Sequence, residues 1–169
     1  MIALSRQLAY ISAINKTRVL IMPVTAQFNT ERRQQASRLI TELQTERREL
    51  WSLYCHVADL KPFSAKKQVK SKLTEFSQIL VDYISLGHFG VYERILAGNE
   101  RRTQVLSVAQ EIYPEFSATT EAAISFNDKY EKIDEKTSFA DLEDELSDLG
   151  EKLAKRIDLE DKLCALLKK

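Results

Sequence analysis

The chain has 169 residues, of which 44% are hydrophobic and 30% are charged, and its formal net charge is zero. A neutral chain has no overall attraction to nucleic acid or to membranes, and four Gly and three Pro are too few for the frequent turns of a sheet protein. The length suffices for one domain with a substantial core. We therefore predict an all-α fold of long helices with few connections.

Two helices are predicted in the N-terminal half, followed by a shorter one. Helix one covers about residues 30–58 and ends before Lys61-Pro62, because proline disfavours helix in the residue that precedes it. Helix two begins after Ser64, and it either continues through Gly87 or breaks near it. The shorter helix then ends at Gly98, a residue typical of helix C-termini.

Three further helices are predicted in the C-terminal half. Two of them cover about residues 101–112 and 117–133, with a break at Tyr113-Pro114. The last begins near Ser138 and carries one apolar stripe of roughly 28 residues, about 42 Å long at 1.5 Å per residue. This stripe departs from a seven-residue repeat between Leu153 and Ile157, which favours packing within the chain over a coiled-coil dimer. We predict a monomeric single-domain antiparallel helical bundle with three long and several short helices.

The first 28 residues differ from the rest, since they contain three basic residues and no acidic one. Their longest apolar run, Val19–Met22, is too short for a signal peptide or a membrane span. Two interpretations are open: a weakly basic amphipathic tail, or sequence upstream of the folded domain with Met22 as the functional start. We expect a poorly ordered extension over residues 1–28, a helical domain over 29–169, a cytoplasmic location and no membrane partner.

No catalytic or metal-binding pattern can be assembled from the sequence. It has no GxxxxGK[ST] or GxGxxG phosphate loop and no HExxH motif, and neither His56 nor His88 follows a Glu at the spacing of di-iron bundles. Cys55 and Cys164 lack metal-site spacing and are predicted to be buried thiols. We expect no enzyme activity, no cofactor and no metal. Paired arginines without interleaved aromatic residues give little support to direct nucleic-acid binding.

Charge is unevenly distributed along the chain. Residues 31–72 contain ten basic and five acidic side chains, whereas residues 111–161 contain sixteen acidic and six basic ones. Such an acidic half usually only solvates a helix face. The alternative is a surface complementary to a basic partner, where charge accelerates encounter.

Helix two presents large apolar side chains on the side opposite its core face. On a helical wheel with about 100° per residue, this second face comprises Asp82, Leu86, Phe89 and Glu93, and Ser85 and Tyr92 lie at its edge. Aromatic residues among a few polar groups are typical of protein-binding hot spots. A helix buried on both sides explains the same pattern, so the residue pattern leaves both interpretations open. His88 by itself is more typical of a structural histidine.

Three segments resemble the Rsd/AlgQ family of bacterial anti-sigma regulators. LVDYISLGHFGVYERIL, Leu80–Leu96, resembles the hallmark segment of that family. ELWSLYCHVADLKP, Glu49–Pro62, and LSDLGEKLAKRIDLEDKLCALL, Leu146–Leu167, resemble the end of its first long helix and its last helix. The resemblance covers most of the chain, from Arg38 to about Leu167.

The resemblance implies an all-α bundle that binds the primary sigma factor of RNA polymerase. The bound part would be its C-terminal region, which reads the promoter −35 element and docks on core polymerase, and regulation would be steric. By position, the resemblance implies Asp82, Ser85 and Phe89 as partner-binding residues, and Leu86, His88, Tyr92 and Glu93 belong to the same motif and are expected at the interface. Because the sigma module binds DNA and is basic, we expect the acidic half of this chain to complement it.

The chain departs from the family at two places. Members often have Asp-Arg-Trp early in the first long helix, where this chain has Thr41, Glu42 and Leu43. We expect the missing aromatic residue to weaken or change any contact of that helix with sigma. This keeps open a second hypothesis, a regulator of the same family whose main partner is another transcription or phosphotransfer protein. Family chains also begin near Met22, which implies that residues 1–21 are an extension without an inferred role.

Overall fold

The computed structural model describes residues 30–31, 33–63, 67–92, 95, 100–134 and 137–168. Over these ranges the regular structure is helical, without strands, which confirms the predicted all-α bundle. The elements are α1 (residues 33–58), α2 (Lys67–Ser85), a π-helical segment (Leu86–Tyr92), α3 (Thr103–Tyr130) and α4 (Leu142–Leu167).

Contacts between Cα atoms divide the chain between Arg38 and Leu39 into two compact units. In the first unit, the described residues 30–31 and 33–38 are helical and mostly exposed. The second unit, Leu39–Lys169, contains the hydrophobic core. The extension predicted over residues 1–28 lies outside the described residues.

Helix α3 runs through Pro114 without interruption, so the predicted break at Tyr113-Pro114 is wrong. Proline lacks an N–H donor and its ring crowds the carbonyl four residues before it, which usually ends or kinks a helix. Here Ile112 and Phe116 are buried on either side of Pro114, which is itself exposed. Packing of these flanking residues holds the helix together. Four long helices therefore replace the predicted three long and several short ones in the described part of the chain.

Aromatic packing joins the first three helices, and a hydrogen bond joins α1 to α4. The ring of Phe76 lies 6.1 Å from that of Tyr54 and 5.8 Å from that of Phe126, measured between centroids. The Tyr54 hydroxyl donates to the Leu146 carbonyl at 3.0 Å. Gly150 permits this approach, because a Cβ at that position would overlap the Tyr54 hydroxyl.

The stripe of α4 differs from the prediction at Ile157, Arg156 and Glu160. Ile157 is only partly buried, and one row of buried residues continues at spacings of three and four: Leu146, Leu149, Leu153, Arg156, Glu160 and Leu163. Leu142, Gly150, Leu159 and Cys164 are buried as well. The apparent departure from a seven-residue repeat is therefore absent, and a charged pair occupies two core positions. As predicted, α4 packs within the chain, and its side chains contact α1, α2 and α3.

The two cysteines lie in different environments. Cys164 is buried as predicted, and burial raises the pKa of its thiol to about 11. Cys55 is exposed, which corrects the prediction that both thiols are buried. In the described ranges, no helix is long and apolar enough to cross a membrane, and no cluster of His, Cys, Asp or Glu is arranged to hold a metal ion.

Candidate protein-binding surface

Phe89 is the most exposed large hydrophobic side chain that the structure describes, with 62% of its surface accessible. Val81 and Asp82 are also exposed, and Ser85 is half-buried. Val81, Ser85 and Phe89 follow one another at intervals of four residues, which places them along one side of a helix. We call Val81, Asp82, Ser85 and Phe89 the Phe89 surface. Val81 was absent from the sequence prediction.

His88 supports Phe89 from the protein side, and Leu86 lies in the same segment. Both are half-buried, and Leu86 packs against the hydrophobic core. The His88 ring stacks on Phe116 at 6.0 Å and meets Phe89 edge-on at 5.0 Å, measured between ring centroids. These contacts restrict the Phe89 ring before any partner arrives, which lowers the entropy cost of binding.

Tyr92 lies in the core, not at the edge of the exposed face as the helical wheel predicts. It is 1% exposed, its hydroxyl donates to the Ala109 carbonyl at 2.5 Å, and its ring stacks on Phe116 at 5.0 Å. Burial, together with the neighbouring Tyr113, raises the pKa of Tyr92 to about 12. Tyr92 therefore anchors the segment and offers almost no surface to a partner. Glu93, the last residue of the predicted face, lies outside the described residues.

The π-helical segment explains why the wheel fails at Tyr92. A π-helix bonds each N–H to the carbonyl five residues earlier, so each residue advances by less than the 100° of an α-helix. This shortfall begins at Leu86 and accumulates over the segment. By Tyr92 the side chain has rotated into the core, whereas Phe89 remains exposed. The chain thus neither continues as α-helix through Gly87 nor breaks there.

A buried arginine lies directly beneath the π-helical segment. Arg156 of α4 is fully buried, and its Nε donates to Glu160 Oε1 at 2.9 Å. Its Nη2 donates to the Ile84 carbonyl at 3.3 Å, near the end of α2. Its guanidinium carbon lies 3.9 Å from the ring centroid of Phe116. Arg156 thus joins α4 to the backbone from which the π-helical segment continues, and to the aromatic residues that support Phe89.

The second oxygen of Glu160 extends this buried network to α1 and α2. Glu160 Oε2 accepts from the Tyr83 hydroxyl at 2.6 Å and from Arg47 Nη2 at 3.1 Å, and Arg47 Nη1 donates to Asp161 at 2.8 Å. Burial, and then the Glu160 carboxylate, raise the pKa of Tyr83, which keeps its phenol protonated as a donor. Paired and hydrogen-bonded in this way, the charges are tolerated in the interior.

Gly87 is the point at which the backbone approaches this network. A Cβ at position 87 would lie 2.7 Å from Glu160 Oε1 and 2.8 Å from Arg156 Nη2, closer than atoms can approach without displacement. Glu160 Oε1 accepts from Arg156 Nε, and Arg156 Nη2 donates to the Ile84 carbonyl, so neither atom can move freely. Gly87 is therefore a close-packing point within the widened helix.

We expect Gly87→Ala to lower the free energy of unfolding by about 1–3 kcal/mol, the usual cost of overpacking a core. The matched control is Gly90→Ala, where a Cβ would lie 3.1 Å from Leu86 Cδ1 and 3.8 Å from Leu39 Cδ2, both at the ends of flexible side chains. Alanine favours helix over glycine by roughly 0.5–1 kcal/mol. This gain offsets the small shift that the Leu86 side chain must make, so the free energy of unfolding of Gly90→Ala should be nearly unchanged. Urea unfolding of both variants provides the comparison, and equal stabilities would contradict close packing at Gly87.

Glu46 of α1 lies close enough to Asp82 of the Phe89 surface for their charges to interact. The pKa of Glu46 is raised by partial burial and by the charges of Glu49, Asp82 and Glu42. Carboxylates of α1 therefore contribute negative charge near Asp82. Glu42, Glu46 and Glu49 all lie within residues 31–72, the segment that is basic overall.

Several carboxylates of the predicted acidic half are instead paired within the protein. Glu115 bonds to Lys155 at 2.9 Å, and Glu143 bonds to Lys61 at 2.7 Å. Glu160 and Asp161 belong to the buried network described above. The carboxylate that interacts with Asp82 of the Phe89 surface, that of Glu46, belongs to α1, which the count of charges along the chain did not indicate.

Thr41, Glu42 and Leu43, where the sequence differs from the residues expected early in α1, lie in different environments. Leu43 is fully buried, and its Cδ1 would lie 3.6 Å from a Cβ at Gly87. Thr41 and Glu42 are exposed. A change of side chain at position 43 thus alters core packing beneath the π-helical segment, and the effect of the missing aromatic residue on contacts of α1 with sigma stays a prediction.

Comparisons with known proteins identify the family of the chain. A family model described as "Regulator of RNA polymerase sigma(70) subunit, Rsd/AlgQ" matches residues 22–168. The chain is similar to proteins named "Regulator of sigma D". The one from Enterobacter sp. (strain 638) is 35% identical over 140 residues, which cover 81% of this chain and 84% of that protein.

Two further relatives carry the same name. The protein from Escherichia coli (strain K12 / DH10B) is 35% identical over 141 residues, or 82% of this chain and 89% of the relative. The protein from Yersinia enterocolitica is 33% identical over 138 residues, or 79% and 83%. No solved structure matches the chain at a significant level. The family and relative names describe a regulator and name no reaction. The chain belongs to the Rsd/AlgQ family of regulators of the RNA polymerase sigma-70 subunit.

Proposed function

We propose that this protein is an anti-sigma factor that binds the C-terminal, −35-recognising region of the primary sigma factor. Bound there, it would hold that region away from core polymerase and from promoter DNA. Membership of the Rsd/AlgQ family supports a sigma factor as the partner. The single observation that carries the choice of surface is the exposed Phe89 ring, which is held in place by His88.

The apolar part of the Phe89 surface can supply binding energy. Burying a fully exposed phenylalanine contributes about 1.5–3 kcal/mol, and much of the Phe89 ring is accessible in the free protein. Its edge-on contact with His88 fixes the ring, so little side-chain entropy is lost on binding. An ordered aromatic anchor with polar neighbours, here Asp82 and Ser85, is the usual composition of a binding hot spot.

The charge around Phe89 favours a basic partner. Asp82 and Glu46 interact through their charges, and Glu42 and Glu49 also act on Glu46, so we expect an acidic rim at this side of the surface. A protein module that reads DNA carries Lys and Arg side chains that neutralise phosphates. These same side chains would be attracted to the acidic rim, which accelerates encounter and excludes acidic competitors. Complex formation should accordingly weaken as the salt concentration rises.

The mechanism that we infer is steric exclusion. A specific interface covers about 800 Å² on each partner, which is a large part of the surface of a small helix-turn-helix module. A 19.4 kDa bundle bound over that area leaves little room for DNA or polymerase at the same module.

A competition experiment tests this proposal. The isolated sigma C-terminal module is bound to a labelled −35 DNA fragment, and the protein is then added. We expect release of the DNA at a protein concentration near that of the module. Retention of the DNA at saturating protein would contradict steric exclusion.

Co-purification from cell lysate separates the proposal from the second hypothesis. The proposed function requires the primary sigma factor to be the main co-purifying protein. Recovery of another transcription or phosphotransfer protein in its place would favour a different main partner within the same family.

A further inference from the structure

We infer that Tyr113 of α3 is a second aromatic anchor of the same interface, which extends the contact with the sigma module from α2 onto α3. This inference rests on the proposed function. Tyr113 is 44% exposed, and its ring stacks on Tyr92 with centroids 5.4 Å apart and ring planes 23° apart. The sequence pattern predicts Tyr113 at a helix end and indicates no role for it.

A series of ring contacts, through His88 and Tyr92, connects Tyr113 to Phe89. The ring centroids of Phe89 and His88 lie 5.0 Å apart, those of His88 and Tyr92 lie 6.2 Å apart, and those of Tyr92 and Tyr113 lie 5.4 Å apart. The two exposed rings at the ends of this series are therefore separated by no more than about 17 Å. A standard interface of about 800 Å² per partner is roughly 30 Å across, so one partner can cover both rings.

The base on which Tyr113 stacks is rigid. Tyr92 is buried, bonded to the Ala109 carbonyl and packed on Phe116. A tyrosine held on such a base presents a fixed apolar face with a polar edge, and tyrosine is among the residues enriched at binding hot spots. Continuity with the Phe89 surface assigns Tyr113 to the same occupant, the basic DNA-reading module of the sigma factor.

Ile124 provides a matched comparison on the same helix. It is 48% exposed, close to the value for Tyr113, but it is aliphatic and does not belong to the series of ring contacts. It lies eleven residues farther along α3, about 16 Å at 1.5 Å per residue. An interface centred between Phe89 and Tyr113 should leave Ile124 outside it.

Site-specific photo-crosslinking in the full-length protein tests the inference. The photoreactive residue p-benzoylphenylalanine is placed at position 89, 113 or 124, and each protein is irradiated with the isolated sigma C-terminal module. We expect crosslinked product from positions 89 and 113 and none from position 124. A purely structural role for Tyr113 would not bring the partner within crosslinking distance of position 113.

The other outcomes separate the two proposals. Crosslinking from position 89 without crosslinking from position 113 would overturn the inference and leave the proposed function standing. Failure of the unmodified protein to bind the module would overturn the proposed function itself. In a titration, we expect Tyr113→Ala to weaken binding about tenfold, with Ile124→Ala within about twofold of the unmodified protein. Equal affinities of these two variants would also count against Tyr113 as an anchor.

Discussion

Replacing Arg156 with methionine is expected to lower the free energy of unfolding by about 3–5 kcal/mol, the usual cost of removing one partner of a buried ion pair. The change removes the cation beside Glu160 and leaves the Ile84 carbonyl without its arginine donor. The hydroxyl groups of Thr119 and Thr120, which Arg156 Nη1 contacts at 3.2 and 2.9 Å, lose the same partner. Urea unfolding of the purified variant measures the loss.

Lys155→Met is the matched control, since it removes a cation from the neighbouring position of the same helix. Lys155 pairs with Glu115 on the surface, where water screens the interaction, so little change in stability is expected. The double variant Arg156→Met, Glu160→Met should lose less than the two single variants added together, because neither charge is then left buried alone. An Arg156→Met protein as stable as the Lys155→Met protein would show that the buried network contributes little.

Phe89→Ala is expected to weaken binding of the isolated sigma C-terminal module by at least about 30-fold, which corresponds to about 2 kcal/mol. The free energy of unfolding should change by less than about 1 kcal/mol, because Phe89 is mostly exposed. Calorimetric titration and thermal unfolding of one protein preparation measure both quantities. This combination, a large loss of affinity with little loss of stability, distinguishes an interface residue from a core residue.

Three variants place this result in context. Phe89→Leu should retain part of the affinity, because it keeps an apolar side chain at the same position. Asp82→Ala and Ser85→Ala should each weaken binding with little effect on stability, since neither side chain is buried. Destabilisation of Phe89→Ala by the roughly 3–5 kcal/mol typical of a buried phenylalanine would mean that the ring belongs to the core.

The all-α bundle could be predicted because apolar residues recur at helical spacing and because glycine and proline are scarce. The sequence wrongly predicts that α3 is divided into two helices, because a proline usually marks the end of a helix. What holds Pro114 within the helix is the burial of Ile112 and Phe116 against other helices. Because this packing involves residues distant in sequence, the local sequence around Pro114 does not predict it.

The exposed residues of the candidate site could be predicted from the sequence, whereas the buried residues that support them could not. Asp82 and Phe89 are exposed where the helical wheel places them. Tyr92 was wrongly predicted at the edge of the exposed face because the helical wheel assumes α-helical geometry. No sequence pattern predicts that the helix widens to a π-helix at Leu86. The role of the buried network depends on residues distant in sequence, which meet only in the folded bundle.

One signal for the buried pair was present in the sequence. Arg156 and Glu160 stand at the core spacing of the α4 stripe, three residues after Leu153 and three before Leu163. Opposite charges four residues apart can form an ion pair along a helix. Charged residues that continue the spacing of an apolar stripe are therefore candidates for a buried ion pair. In α4 this spacing predicts burial better than side-chain polarity does, because Arg156 and Glu160 are buried and Ile157 is only partly buried.

The most direct test of the account is a calorimetric titration of the unmodified protein with the isolated C-terminal module of the primary sigma factor. We predict a saturable one-to-one complex whose affinity falls as salt is added, in agreement with the acidic rim around Asp82. Absence of binding at low salt, with both proteins shown to be folded, would contradict the proposal that this bundle regulates transcription by holding that module.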